Sequence, residues 1–293
     1  MISVTVGICA YNEAVNITKA LNSVYKQDFT GLELDRIIVV SSGSTDDTDR
    51  IIESMIPEHP RLQLAVQEKR LGKNSAVNRI LDSGKSDVIV LMNADNILNG
   101  NRVVYDLVSP FTDSKVGMTG GHPVPTNDVG TFTGFASHMV WCMHHHVAEM
   151  TEKRGELVAF RDIGTRLNPG TQGDEDRLAA ALIKAGYKTV YVSEAKVFNH
   201  GPDTVADYIK QRTRTNIGEL YIKKDTGYKS PTWDVHILYT ATIGTIKNMG
   251  FHPLKIMFAV SLEMLCRVSA LVHIRLRKKD ICVWDRVCST KKI

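Results

Sequence analysis

The chain has 293 residues, 43% hydrophobic and 23% charged, with a formal net charge of +4. This is ordinary globular composition, which excludes a collagen-like, disulfide-scaffold or largely disordered protein and suits one large α/β domain or two small ones. The charge is uneven: residues 251–293 hold nine Lys/Arg against three acids, so an anionic surface is the expected partner of that end, a membrane first among them.

Residues 4–8 predict a first strand, without a charged n-region or cleavage site, so no secretory signal is expected. Residues 14–25 carry helical spacing, with Val15, Leu21 and Val24 on one face. Strands follow at 36–40, 62–66 and 88–92, separated by helices at 45–55 and 73–81. This rhythm with short connections predicts a parallel, doubly wound sheet, whose ligands sit at the carboxyl ends of the strands. Beyond it, Gly120-Gly121-His122-Pro123 reads as a loop, 133–151 as a helix, 157–160 as a strand, 174–185 as a helix, 189–192 as a strand and 206–223 as a helix. Five cysteines (Cys9, Cys142, Cys266, Cys282, Cys288) form no C-x-x-C pair, which suits a reducing compartment and small core roles.

Residues 251–274 are apolar but interrupted by Lys255, Glu263 and Arg267. Three charges disfavour a spanning helix and favour an amphipathic one lying in the interface. Its expected lipid face is Leu254, Met257, Phe258, Leu262, Leu265 and Val268, with Arg267 snorkelling to headgroups beside the basic run 275–279. Packing on the core is the competing reading.

Four groups fall at strand or helix ends: Ala10-Tyr11-Asn12-Glu13, Ser41-Ser42-Gly43-Ser44-Thr45-Asp46-Asp47-Thr48, Arg70-Leu71-Gly72-Lys73-Asn74 and Asn93-Ala94-Asp95-Asn96. Each alone is explained by a cap or a turn; on one edge of one sheet they suggest a site. No G-x-G-x-x-G follows the first strand, which disfavours a dehydrogenase. The basic residues lie beside apolar ones without a stacking surface, which disfavours nucleic-acid binding. His144-His145-His146 resembles a metal tract, but consecutive helical residues face different directions. Trp141 and Met139 are expected in the core or an acceptor groove, and the loop 166–175, with Gly170 and Gly173, suits a lid.

In these motifs and their order the chain resembles the inverting family 2 glycosyltransferases, over about residues 4–218. The first strand with Tyr11-Asn12-Glu13 is similar to the family's opening turn, Ser41-Ser42-Gly43-Ser44-Thr45-Asp46 to its Asp-Asp-Gly-Ser-Thr-Asp loop, and Asn93-Ala94-Asp95 to its D-x-D motif. Gly173-Asp174-Glu175-Asp176 is similar to the Glu-Asp acceptor motif, and Gln211-Arg212-Thr213-Arg214 to Gln-x-x-Arg-Trp. The resemblance implies an α/β fold of A-type: a nucleotide-sugar-binding mixed, mostly parallel sheet flanked by helices, with a C-terminal amphipathic helical appendage. The expected division is a catalytic domain over 1–225 (nucleotide part about 1–120, acceptor part about 121–225) and a helical, membrane-associated segment over 226–293.

The activity implied is sugar transfer with inversion from a nucleotide-diphosphate sugar to a lipid, lipid-linked or saccharide acceptor, assisted by Mg2+ or Mn2+. The resemblance assigns the donor to Ala10, Tyr11, Glu13, Ser41, Ser42, Lys73, Asn93, Ala94, Asp95, Arg212 and Arg214. It assigns the metal to Asp95 with His200, and the general base to Glu175, with Asp174 and Asp176 as alternatives. Serines replace both aspartates of the second loop, Asn93 replaces the first D-x-D aspartate, and Thr215 stands where processive synthases have Trp. A catalytically impaired nucleotide-binding relative and a nucleotidyltransferase are the alternatives. The expected location is cytoplasmic, peripheral to the cytoplasmic face of the membrane.

Overall fold

The computed structural model describes residues 1–276, 282, 283 and 287–291. β1 (Ile2–Ala10), β2 (Leu32–Ser42), β3 (Leu62–Gln67) and β4 (Val88–Asn93) run parallel, with β1 between β2 and β4 and β3 outside β2. Their side chains alternate between two cores. Val4, Val6, Ile8, Val39 and Val90 face a cluster completed by α1 (Ile17–Tyr25) and α4 (Val103–Val108); Ile38, Val40, Ile89 and Leu91 face one completed by α3 (Lys73–Leu81) and α6 (Asp174–Lys184). Each such Val, Ile or Leu contributes about 1.5–3 kcal/mol on burial, which fixes the register and hence the strand ends. α2 (Thr48–Met55) links β2 to β3.

The second half makes the sheet mixed, as the resemblance implies. β5 (Ile97–Leu98), β6 (Val116–Pro125), β7 (Val158–Phe160) and β8 (Lys188–Asn199) complete an eight-stranded mixed sheet of order β3-β2-β1-β4-β7-β6-β8-β5. β7 is antiparallel to both β4 and β6, and β5 is antiparallel to β8. Residues 120–123 are not a loop: they lie inside β6, paired to β7 and β8. The two glycines serve close packing there. A Cβ on Gly120 would stand 2.6 Å from Arg154 Cδ, and one on Gly121 3.0 Å from Leu157.

A helical layer covers one end of the sheet: α5 (Phe132–Met150), α7 (Val205–Thr226), α8 (Val235–Met249) and α9 (Pro253–Leu276). α9 packs on α7 and α5, and α8 on α5. The inner face of α9 is Ala259, Leu262, Cys266 and Ala270, at helical spacing, with small residues that admit close approach. This corrects the expected lipid face. Leu262 is buried and Phe258 packs edge-on against Phe132, whereas Val260, Met264, Leu271 and Val272 join Leu254, Met257, Leu265 and Val268 in exposure. Arg267 does not snorkel either: it turns inward, donating to Glu263 Oε1 at 3.2 Å and Thr232 O at 2.8 Å, over the Trp233 ring. By length and composition α9 is able to cross a membrane, with 22% of its most apolar window buried.

Candidate active site

The strand-end loops are locked to one another. Asn12 adopts φ 53°, and its Oδ1 accepts from Thr45 N at 2.7 Å. Glu13 N donates to Thr48 Oγ1 at 2.8 Å. The Arg70 guanidinium lies 3.9 Å over the Tyr11 ring, and Ser42 Oγ accepts from Leu71 N. These loops open onto a cavity of about 520 Å³ lined by Ala10, Tyr11, Glu13, Ser42, Lys73, Asn93, Asp95, all three acids 174–176, His200, Arg212 and Arg214. Ser41 and Ala94 are not brought to it: both are buried, and the Ser41 hydroxyl donates to Ser44.

Asp95 follows β4 and faces Glu13 across the cavity mouth, bridged by one cation. Lys291 Nζ donates to Asp95 Oδ2 at 2.6 Å and also to Glu13 Oε1. Burial opposes ionisation of Asp95, but Lys291 holds it below the usual carboxylate range; burial and the Asp95 charge push Glu13 up to about 7. Glu13 and Asp95 thus offer hard carboxylate oxygens to one shared cation, a donor set that fits a divalent ion. Asn93 Nδ2 donates to Glu156 Oε1 at 3.3 Å. Glu156 is raised above the usual carboxylate range by burial and the Asp95 charge.

The acid cluster begins at Gly173, whose φ of 79° starts α6. There a Cβ would strike Ile222 Cδ1 at 2.5 Å, so both the turn and the packing require glycine. Lys73 Nζ sits 2.7 Å from Glu175 Oε1 and 2.9 Å from Asp174 Oδ2. Burial alone would raise Glu175, but the Lys73 charge and hydrogen bonds from Lys73 and Asp174 bring it down to about 2; burial and the Glu175 charge push Asp174 up to about 7. The two carboxyls thus compete for the one Lys73 ammonium, and Glu175 is the one favoured as the anion. Asp176 points elsewhere: Lys153 Nζ is 2.5 Å from its Oδ2 and 3.2 Å from Glu219 Oε1, and Glu219 Oε2 accepts from Thr232 and Trp233.

The two arginines differ. Arg212 makes a two-pronged pair with Glu263 of α9, at 2.9 and 3.0 Å. Arg214 lines the cavity with no hydrogen bond or ion pair among the described residues, and burial pulls it below its usual value. His200 engages both ring nitrogens, Nδ1 with Thr126 Oγ1 and Nε2 with Asp203 Oδ1, each at 2.9 Å. Two of the three histidines of α5 converge on Glu149, His145 Nε2 at 3.5 Å and His146 Nδ1 at 3.1 Å, and His144 lies apart from them. His144 lines the cavity with both ring nitrogens unpartnered, His145 bonds Tyr191, and His146 bonds Glu149 and Asn248. Trp141 lines the cavity, while Met139 lies in the core. The expected lid is fastened to α3: Asn74 Nδ2 donates to Asn168 O and Thr171 Oγ1, and Asn78 bonds both backbone groups of Leu167.

Sequence reasoning placed Arg70 in the group before α3 but missed Lys153, Glu156, Glu219 and Lys291. Only Gly155-Glu156 carried a local signal, a turn at which Glu156 adopts φ 68°. The others act through partners distant in sequence.

The crevice at the carboxyl ends of β1 and β4, with Asp95 on one side and an acid-bearing helix start on the other, defines a glycosyltransferase of A-type fold. Residues 5–169 match glycosyl transferase family 2, and the chain belongs to that family. It is 26% identical over 234 residues to an N-acetylglucosaminyltransferase of Rhizobium meliloti (strain 1021), covering 72% of this chain and 54% of that one. The chain therefore spans about half the length of such relatives. Its fold is similar to mannosyltransferase PcManGT from Pyrobaculum calidifontis, solved with GDP-Man and Mn2+ (TM-score 0.66, 20% identity, 94% of this chain and 88% of that one). It is also similar to glucosyl-3-phosphoglycerate synthase from Mycobacterium tuberculosis, solved with Mn2+, UDP and glucosyl-3-phosphoglycerate (TM-score 0.52, 17% identity, 78% and 81%).

Proposed function

We propose that this transferase moves a sugar, with inversion at the anomeric carbon, from a nucleoside-diphosphate sugar to a lipid-linked or saccharide acceptor at the cytoplasmic face of a membrane. The observation that carries this reading is that Asp95, Lys73 and Glu175, from three separate elements, wall one cavity. A divalent ion, Mg2+ or Mn2+, held by Asp95 supplies neutralisation of the departing diphosphate. Tyr11 and Arg70 flank the nucleotide end, and Arg214, free of any internal partner among the described residues, receives phosphate oxygens.

Lys73 links the two halves of the reaction. Against Glu175 it keeps that carboxylate too weak a base. When the diphosphate draws the ammonium away, burial raises Glu175 towards the range where it takes the proton of an acceptor hydroxyl. The acceptor enters between Val140, Trp141, Met143 and Leu238, an apolar wall suited to a sugar face or a lipid. The exposed rows of α9, with Val235, Tyr239 and Ile243 of α8, rest on lipid beside the basic segment. Residues 277–279 of the basic run lie outside the described residues.

The test is a screen of UDP- and GDP-sugars, N-acetylglucosamine first because relatives carry that name, with and without Mn2+. The expected result is one donor cleaved faster with Mn2+, giving a product of opposite anomeric configuration by NMR. Retained configuration contradicts the inversion, and indifference to Mn2+ and to chelator contradicts the metal.

A further inference from the structure

Residues 287–291 lie across the donor end of the cavity, although they follow α9 in the chain. Ser289 Oγ donates to Asp207 Oδ2 at 2.5 Å and accepts from Asp203 N at 3.2 Å. Val287 and Thr290 are buried. Cys282 packs so closely on Gly72 that a Cβ there would stand 2.8 Å from the Cys282 carbonyl oxygen. The segment ends with the Lys291 ammonium between Asp95 and Glu13, its side chain 19% exposed.

We propose that Lys291 is a tethered competitor for the divalent ion at Asp95, so that the C-terminal strap closes the donor site until metal and nucleotide displace it. The inference rests on the reading of Asp95 as the metal-holding carboxylate. Lys291 Nζ is 2.6 Å from Asp95 Oδ2, and a Mg2+ or Mn2+ ion on the same carboxylate sits at about 2.0–2.2 Å. Two cations that close repel strongly, so one excludes the other. The tether makes the ammonium an intramolecular ligand at an effective concentration in the millimolar range. Glu13 supplies a second carboxylate to the ammonium, which explains why a single lysine suffices to hold the strap's end. Ser289 anchors the strap to the start of α7, through Asp203 N and the Asp207 carboxylate.

The consequence is measurable without turnover. If the strap is closed nine-tenths of the time, the apparent Mn2+ affinity is lowered about tenfold. Mn2+ alone is titrated into the full chain without nucleotide, and free Mn2+ is read by electron paramagnetic resonance. Lys291→Met should bind Mn2+ about tenfold tighter than wild type, Lys291→Arg should stay near wild type, and Ser289→Ala, which leaves the ammonium in place but loosens the strap, should shift the same way as Lys291→Met. Unchanged or weaker Mn2+ binding in Lys291→Met, with wild-type melting behaviour, overturns the proposal. Asp95→Asn separates the two readings. If it loses Mn2+ while Lys291→Met equals wild type, the strap alone is wrong; if it binds Mn2+ as wild type does, the metal reading fails and the strap with it.

Discussion

Lys153 Nζ lies 2.5 Å from Asp176 Oδ2, and both side chains are about a tenth exposed. This contact separates Asp176 from its two acidic neighbours. It joins Glu219 and the Trp233 indole in a network that fastens α6 to α7 and the segment before α8.

Breaking that network leaves buried carboxylates without their cation. Lys153→Met should therefore destabilise the protein by about 3–5 kcal/mol, the range for orphaning one partner of a buried pair. Urea denaturation measures it. A loss below about 1 kcal/mol would mean that water reaches the site and the pair is effectively a surface one.

Lys73→Met removes the cation that holds Glu175 at about 2. Burial then acts unopposed and the carboxyl rises. A base must be ionised to work, so activity is lost as pH falls through its pKa, and the acid limb of the kcat/KM profile should move towards neutral pH. An acid limb left in place would separate Lys73 from the base.

Asp174 carries the opposite shift, to about 7. Its folded form binds a proton that the unfolded chain releases near the ordinary value, so it costs stability as pH rises from about 4 to about 7. Asp174→Asn mimics the protonated form. Its Tm should match wild type only below about pH 4, and its advantage should grow from pH 5 to pH 8. A lower Tm at pH 8 would show that the ion pair with Lys73 outweighs the burial of the charge.

Met264 and Leu271 stand on the outer face of α9, 57% and 45% exposed. Replacing both by Glu removes apolar surface worth about 1.5–3 kcal/mol per side chain if buried in lipid. Binding to anionic vesicles, read by co-sedimentation at low salt, should fall at least tenfold, with the melting temperature unchanged. Equal binding of both proteins would refute lipid contact through this face.

The strand ends were legible because alternation fixes strands locally and ligands gather at their carboxyl ends. The helix over Lys73–Leu81 matches its expected bounds, since Gly72 with φ 90° breaks the chain just before it. Residues 120–123 were not, because Gly-Gly-His-Pro has turn composition and only the neighbours Arg154 and Leu157 reveal why glycine is needed inside a strand. α8 was missed because residues 235–249 carry only a weak apolar stripe. The motifs named Asp95 and the cluster 174–176, which line one cavity, but not their partners: Lys153 and Lys73 reach Asp176 and Glu175 from 23 and 102 residues away. Lys291 lies 196 residues from Asp95, beyond any local pattern.

In the proposed reaction Glu175 takes the acceptor's proton in the cavity that Asp95 also lines. The most direct measurement is the turnover of Glu175→Gln with the donor found in the screen, alongside donor affinity by calorimetry. The account predicts that kcat falls about 10²–10⁴-fold, the usual worth of a general base, with donor affinity unchanged. A fall of less than tenfold, or a loss confined to donor binding, would contradict it.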